Sequence, residues 1–339
     1  MTPVAPLLAE CHYHTRAVAR SRAERYANRD PRGRRHIQTG TQVTRHTVQS
    51  QGIELNVLEA GTPDGPTVVV AHGLRDTAHA FLPMLQAHLG DGYRLLLPEH
   101  RGHGDSDRSD AYAMPNFILD LHRVVTALTD APVALIGHSL GGHVTTRYAA
   151  LYPELVRCLV VVEGLGPPRR PHEGNAAAEV AAFRQMLDRL EPPAARTLPS
   201  REDARARLLR NNPRLTEALA DVLAEHMLTP VAGGFAWNFD ARTASAFVGT
   251  SRAQNEAFHS QVTAAVCLVS GALSHEYWGR EMAADGFTGR FAEGEMEARA
   301  AQFPHHEHHW FERSGHMVHY DEADRLGRLC RTFLEKHHE

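Results

Sequence analysis

The residues best suited to chemistry lie in the stretch VALIGHSLGGH, residues 133–143. It contains the pattern Gly-x-Ser-x-Gly, with Ser139 at its centre, between an apolar run typical of a strand and the helix-like segment LGGHVTTRYAALYP. A serine on a sharp strand-to-helix turn projects its hydroxyl above the sheet, and the glycines leave room for neighbouring backbone. The pattern in this setting predicts that Ser139 is a nucleophile activated by a nearby base.

Three further motifs resemble those of the α/β-hydrolase superfamily, and the resemblance covers roughly residues 43–339. They are His72-Gly73-Leu74 at a strand end, PEHRGHGDSD at residues 98–107, and RSGHMVHYDEADRLGRLCRTFLEK at residues 313–336. The resemblance implies an α/β-hydrolase fold, in which a mostly parallel central sheet is flanked by helices and carries an inserted, mainly helical cap.

The same resemblance assigns roles to individual residues. It places His316 at the position of the catalytic base. His319 is the second choice for the base and is expected to have a structural role. The N–H groups of Leu74 and Leu140 occupy the positions of the two oxyanion donors. The 98–107 loop, with Glu99 where the family usually has aspartate, is expected to be a structural turn.

The third member of a triad is not where the family usually places it. In VSGALSHEYWG, residues 269–279, Ser274 stands at the expected aspartate position. Three carboxylates could replace it: Glu276, Asp285, and Glu163 at the end of the apolar run LVVVE. We favour Glu163, because the resemblance extends to haloalkane dehalogenases, which carry a working acid after strand six. Glu276 is the next choice and Asp285 the third.

An alternation of short apolar runs and amphipathic stretches indicates the elements that must position these residues. Continuous apolar runs suit strands covered on both faces. Strands are expected at residues 67–73, 93–99, 133–139, 159–164 and 265–271, after an opening hairpin at residues 44–61. Helices are expected at about residues 77–89, 115–129, 141–152 and 322–336.

The chain is expected to divide into three parts. Residues 1–42 form a basic N-terminal extension that packs on its own domain or reaches across a homodimer. Residues 43–166 and 258–339 form the core. Residues 167–257 lack the recurring apolar runs that predict core strands and are expected to form the helical cap.

Candidate substrate contacts come from both core and cap. They are Arg75, His138, Trp237, Phe239 and Trp278. Arg75 follows the oxyanion turn and is expected either to hold a substrate carboxylate or phosphate, or to pair with Asp76 or another acid. Trp237 and Phe239 line an apolar pocket or form the cap's own core.

Composition narrows the functional classes. The 339 residues carry a formal net charge of −4, which does not favour nucleic acid as a partner. The sequence contains no apolar run of about 18 residues, so we expect no membrane span. The four cysteines are far apart and fit reduced thiols in a cytoplasmic protein. The run HHEHHW, residues 305–310, lacks a partner cluster and is expected to be the last core strand rather than a metal site.

These observations predict a serine hydrolase that cleaves a small ester, thioester or lactone through an acyl-enzyme on Ser139, with no cofactor or metal. The family's epoxide hydrolases and dehalogenases need an aspartate nucleophile, so both activities are unexpected here. Two alternatives stay open: a biosynthetic acyltransferase or cyclase, and a non-catalytic binding or scaffold protein of the same fold.

Overall fold

The computed structural model describes most of the chain. The described residues are 43–170, 174–188, 190, 197–282 and 287–337. The basic extension at residues 1–42 and the candidate acid Asp285 lie outside them.

The described residues contain ten strands and eleven α-helices, besides three 3-10 helices at Ala78–Ala80, Pro153–Leu155 and Ala241–Phe247. The strands are β1 (Thr44–Ser50), β2 (Ile53–Gly61), β3 (Thr67–Ala71), β4 (Arg94–Pro98), β5 (Val133–His138), β6 (Val156–Val162), β7 (Leu228–Val231), β8 (Gly234–Trp237), β9 (Ala265–Gly271) and β10 (His306–Phe311). The helices are α1 (Leu82–Leu89), α2 (Met114–Leu128), α3 (Leu140–Leu151), α4 (Ala176–Asp188), α5 (Arg201–Asn211), α6 (Glu217–His226), α7 (Arg252–Ser260), α8 (His275–Glu281), α9 (Glu295–Ala300), α10 (Val318–Asp321) and α11 (Ala323–Lys336).

Eight strands form one sheet in the order β1-β2-β4-β3-β5-β6-β9-β10. The pairs from β4 to β10 are parallel, and the opening hairpin joins them through antiparallel pairs of β1 with β2 and of β2 with β4. The mostly parallel sheet that the sequence predicted is confirmed. The strands β5, β6 and β9 are neighbours, so the residues that follow them meet at one edge.

Alternate residues of each central strand face opposite layers of helix. Val68 and Val70 of β3 pack in the core that α1 and α11 cover, whereas Val69 packs in the core that α2 and α3 cover. Burial on both faces explains why these strands read as continuous apolar runs in the sequence.

The chain between β6 and β9 contains α4 to α7 and the β7–β8 hairpin. Its contacts with the sheet-bearing part include a stack of His226 on His79, with ring centroids 3.5 Å apart. The exact division into core and cap stays a prediction. Within the described part of the chain, no helix is long and apolar enough to cross a membrane. The cysteines there, Cys158, Cys267 and Cys330, are buried free thiols.

Candidate active site

Ser139 lies in a strained turn between β5 and α3, with φ 51° and ψ −115°. The turn requires glycine on both sides. A Cβ on Gly141 would lie 2.0 Å from the carbonyl oxygen of Ala71, and one on Gly137 would lie 2.3 Å from Oγ1 of Thr145. The GxSxG pattern is therefore explained by close backbone packing beneath the serine.

His316 lies in the loop between β10 and α10 and contacts the serine directly. Its Nε2 is 3.0 Å from the Oγ of Ser139. The loop is held by two hydrogen bonds: Nε2–H of His138 donates to the carbonyl of His316 at 2.9 Å, and the N–H of Gly315 donates to Asp321 at 2.7 Å. The ring of Tyr277 stacks on the imidazole with centroids 4.1 Å apart. These contacts fix the orientation of the imidazole.

Glu163, directly after β6, completes a chain of three side chains. Its Oε2 accepts the Nδ1–H of His316 at 3.0 Å, which leaves Nε2 to accept the hydroxyl of Ser139. Its Oε1 accepts the N–H of Gly271, the last residue of β9, at 2.7 Å. Glu163 has a φ of 50° and is 7% exposed. The sharp turn at the end of β6 thus positions a buried carboxylate beside the histidine, and each of its two oxygens accepts one hydrogen bond.

Ser274 and Glu276, which follow β9 where the family usually has its acid, form hydrogen bonds with groups other than His316. The hydroxyl of Ser274 donates to the carbonyl of Gly271 at 2.7 Å. Glu276 accepts from Arg214 at 2.7 Å, and this hydrogen bond lowers the pKa of its carboxyl. In the described part of the chain, neither side chain forms a hydrogen bond with His316, and Asp285 lies outside that part.

The predicted oxyanion donors lie beside the serine. A Cβ on Gly73 would be 3.4 Å from the Cβ of Ser139, so the turn that carries Leu74 packs against the serine turn. Among the described residues, the N–H groups of Leu74 and Leu140 donate to no other group. Two unengaged N–H groups near the serine are what a developing oxyanion requires.

The comparisons with known proteins show the family of the chain. The family model described as alpha/beta hydrolase fold matches residues 66–323. The chain belongs to the α/β-hydrolase family. The thioesterase domain from the curacin biosynthetic pathway superposes with a TM-score of 0.70 at 23% identity, covering 86% of this chain and 99% of that one. A likeness at this level of identity shows the fold alone.

Curated relatives match over shorter stretches. A serine hydrolase-like protein of Danio rerio is 31% identical over 187 residues, which cover 54% of this chain and 57% of that protein. The 2-(acetamidomethylene)succinate hydrolase of Mesorhizobium japonicum is 33% identical over 112 residues, which cover 33% of this chain and 39% of that protein. This α/β-hydrolase chain thus spans about half the length of the curated relatives it matches.

Three buried histidines lie around the predicted oxyanion turn of this α/β-hydrolase chain. His72 donates Nδ1–H to the carbonyl of Gly73 and accepts the N–H of His100 at Nε2. His103 accepts the N–H of Arg75 at 3.0 Å. Burial lowers the pKa of His72 far below its usual value, that of His100 to about 4 and that of His103 to about 3. His72 and His103 accept these hydrogen bonds at Nε2 only in the neutral state, whereas the ring of His100 donates Nε2–H to the carbonyl of His72 at 2.9 Å.

Asp76 ties the oxyanion turn to the histidine loop, and the sequence interpretation missed this link. Its carboxylate accepts the Nε2–H of His319 at 3.0 Å and the hydroxyl of Tyr320 at 2.7 Å. All three side chains are buried. The sequence signal was the histidine and tyrosine three and four residues after His316, but no pattern paired them with an aspartate more than 240 positions earlier.

The predicted substrate contacts lie in different surroundings. His138 is 1% exposed and donates a hydrogen bond to the backbone carbonyl of His316, so its side chain is buried and does not face a substrate. Trp278 packs its ring against His316 with centroids 5.0 Å apart. Trp237 and Phe239 stack on each other at 6.5 Å and are half-buried. Phe239 also pairs its backbone with His103, which places it beside the oxyanion turn.

Two groups of described side chains bring three ligand atoms within 4.8 Å. They are Asp76, His138 and His319, and Cys267, Glu307 and His309. In the first group, His319 donates to Asp76, and His138 donates instead to the carbonyl of His316. In the second, burial raises the pKa of the Cys267 thiol, which opposes the thiolate that a metal needs, and Glu307 pairs with Lys336. We assign no metal to either group.

Proposed function

We propose that this chain is a serine hydrolase that cleaves an ester, thioester or lactone through an acyl-enzyme on Ser139. The observation that carries the proposal is the continuous hydrogen-bonded chain of Ser139, His316 and Glu163, with both contacts of the imidazole at 3.0 Å. The serine hydrolase-like protein and the 2-(acetamidomethylene)succinate hydrolase among the relatives support a hydrolytic reaction.

The first half of the reaction forms the acyl-enzyme. Oγ of Ser139 attacks the carbonyl carbon while its proton passes to Nε2 of His316. The oxyanion then accepts from the N–H groups of Leu74 and Leu140, and the loss of one such donor typically costs about 10²- to 10³-fold in rate. When the intermediate collapses, His316 returns the proton to the departing alcohol or thiol.

The second half releases the acid. A water molecule gives a proton to Nε2 of His316 and attacks the acyl carbon, and the proton returns to Oγ of Ser139 as the ester bond breaks. In both halves Glu163 holds Nδ1–H of the imidazole and stabilises the imidazolium. The carboxylate contact with His316 also supports a catalytic over a non-catalytic role, since the serine at position 274 was the main argument for the latter.

The test is covalent labelling with a fluorophosphonate probe, followed by intact-protein mass. We expect one label on the wild type, none on Ser139→Ala, and labelling of Glu163→Gln that is slower by about 10⁴-fold, as for the loss of a triad acid elsewhere. Glu276→Gln is the matched control, because it changes a nearby glutamate that binds Arg214 instead of His316. Labelling of Glu163→Gln at the wild-type rate would refute the assignment of the acid.

A further inference from the structure

Arg75 is an exposed arginine at the edge of the candidate active site. It directly follows Leu74 and has a φ of 59°, in the left-handed region. Its N–H donates to the buried Nε2 of His103 at 3.0 Å. The backbone of Arg75 is therefore held in an uncommon conformation, and this limits the directions that the side chain can take.

The charge of Arg75 has no counter-ion among the described residues. The sequence offered Asp76 as a partner, but that carboxylate is 4% exposed and accepts from His319 and Tyr320. By contrast, Arg214 and Arg205 each bind two carboxylates. An uncompensated guanidinium next to an oxyanion donor favours the approach of an anion.

Tyr277 is a second polar residue beside the candidate site. Burial and the charge of Glu281 raise the pKa of the Tyr277 phenol, and the charges of Arg75 and Arg280 lower it. The ring of Tyr277 stacks on His316 at 4.1 Å. Among the described residues, the hydroxyl forms no hydrogen bond. An unpaired cation next to Leu74, whose turn packs against Ser139, and an unengaged hydroxyl on a ring that stacks on His316 thus both belong to residues bordering the candidate site.

We propose that Arg75 and Tyr277 form a carboxylate subsite, so that the substrate carries a free carboxylate besides its scissile carbonyl. This inference rests on the proposed serine hydrolase function. A guanidinium and a hydroxyl can donate together to the two oxygens of a carboxylate. Because Arg75 adjoins the proposed oxyanion donor Leu74 in the chain, we expect a short spacer between the carboxylate and the scissile carbonyl of the substrate. Monoesters and thioesters of short dicarboxylic acids have this form.

The test measures binding by calorimetry, which does not depend on turnover. The probes are glutarate and the uncharged glutaramide, with wild type, Arg75→Gln, Arg75→Lys and Tyr277→Phe. We expect the wild type to bind glutarate at least about 10-fold more tightly than glutaramide. Arg75→Gln is expected to abolish this preference, and Arg75→Lys and Tyr277→Phe to reduce it. Arg328→Gln, which removes an exposed arginine of α11, is the control and keeps the preference.

Other outcomes would overturn the subsite. Equal binding of glutarate and glutaramide, or an unchanged preference in Arg75→Gln, would refute it. Tighter binding of methyl phosphate than of glutarate would replace the carboxylate with a phosphate group. Fluorophosphonate labelling of Ser139 is measured on the same samples. Normal labelling without a carboxylate preference refutes the subsite alone, whereas absent labelling refutes the hydrolase.

Discussion

Ser139 and Glu163 share an unusual backbone conformation. Their φ angles are 51° and 50°, and each directly follows a strand of the parallel sheet. The N–H of Ser139 donates to Val162 at 3.0 Å, and the N–H of Glu163 donates to Val269 at 2.8 Å. The sheet ladder thus continues to each of these residues, and the chain then turns sharply. Both functional groups are placed by rigid strands instead of by long loops.

The packing beneath Ser139 gives a prediction for Gly141→Ala. The new Cβ would meet the carbonyl oxygen of Ala71 at 2.0 Å, which is backbone and cannot move aside cheaply. The serine turn must shift, and a displacement of about 1 Å typically costs about 10²-fold in rate. We expect Ser139 to react with the fluorophosphonate about 10²-fold more slowly.

The control for this prediction is Gly233→Ala. Gly233 has a φ of 80°, but a Cβ there would meet nothing within 4 Å. This variant is expected to lose some thermal stability through backbone strain and to keep the wild-type labelling rate. Equal labelling of the two variants would mean that the serine turn tolerates the shift.

At this scale the sequence identified the residues that motifs mark and missed those that only tertiary structure brings together. Ser139 and His316 stand in local patterns, and Glu163 stood out as a charge at the end of a buried strand. Tyr277 carries no such signal, because its stack on His316 depends on the path of the chain after β9. The catalytic roles themselves stay predictions.

One arginine links the inserted segment to the histidine loop. Arg214, between α5 and α6, binds Asp321 at 2.9 Å and Glu276 at 2.7 Å. Asp321 in turn accepts the N–H of Gly315, next to His316. The hydrogen bonds to both acids raise the pKa of Arg214. The position of the histidine loop therefore depends on contacts from the segment between β6 and β9.

We expect Arg214→Gln to lower thermal stability and catalytic efficiency together. The variant leaves the Asp321 carboxylate, whose side chain is 4% exposed, without its cation. Because Arg214 is 29% exposed and Gly315 still donates to Asp321, we expect a cost below that of a fully buried unpaired charge, which is about 3 to 5 kcal/mol. The measurement is the melting temperature together with kcat/KM for 4-nitrophenyl acetate.

Arg205→Gln is the matched control for this change. Arg205 also binds two acids, Glu217 and Asp221, but both belong to α6 and are exposed. Surface pairs of this kind contribute about 0 to 1 kcal/mol. If Arg205→Gln lowered kcat/KM as much as Arg214→Gln, the link to the histidine loop would not be the cause.

The sequence located elements better than it located their ends. A helix was expected at about residues 77–89, but α1 begins only at Leu82, and Ala78–Ala80 form a 3-10 turn. Pro83 lies in the first turn of α1, where its missing N–H costs nothing. The strand expected from residue 159 begins at Val156, because a register shift at Val133 and Ala134 extends its pairing with β5. Tertiary pairing of this kind leaves no local trace in sequence.

Many histidines of the described residues are buried. Among these buried histidines, burial lowers the pKa of six below 6.5, to about 4 for His100 and His259 and to about 3 for His103. The others, His72, His138 and His143, shift in the same direction, with burial as the main cause. Neutral imidazoles pack in the folded state, whereas the unfolded chain can protonate them.

These shifts predict a loss of stability under mild acid. Below pH 6.5 the unfolded state binds more protons than the folded state, so the free energy of unfolding falls as pH falls towards the lower folded-state values. At pH 5.5 each such histidine costs up to about 1.4 kcal/mol. Glu99, whose pKa is raised by burial, opposes the effect in part. We expect urea midpoints to fall clearly between pH 7.5 and 5.5.

The control for the acid effect removes one buried histidine. His259 stacks on Phe303 at 4.5 Å, and its replacement by phenylalanine keeps an aromatic ring there. His259→Phe should make the pH dependence shallower by about one proton, whereas His305→Gln, at an exposed histidine, should not. A stability that stays constant from pH 7.5 to 5.5 would contradict the prediction.

The carboxylate of Glu163 binds the N–H of Gly271 at the end of the neighbouring strand, three residues before Ser274. This adjacency has an evolutionary consequence. If Glu163 is the acid, point substitutions at positions 163 and 274 would move the acid between strands while serine, histidine and sheet stay in place, and we expect a chain with carboxylates at both positions to keep its activity. An alignment that scores only the usual acid column would then class such chains as having lost the acid. The descent of the acid is therefore better traced by the position of the carboxylate in the structure than by its column in a sequence alignment.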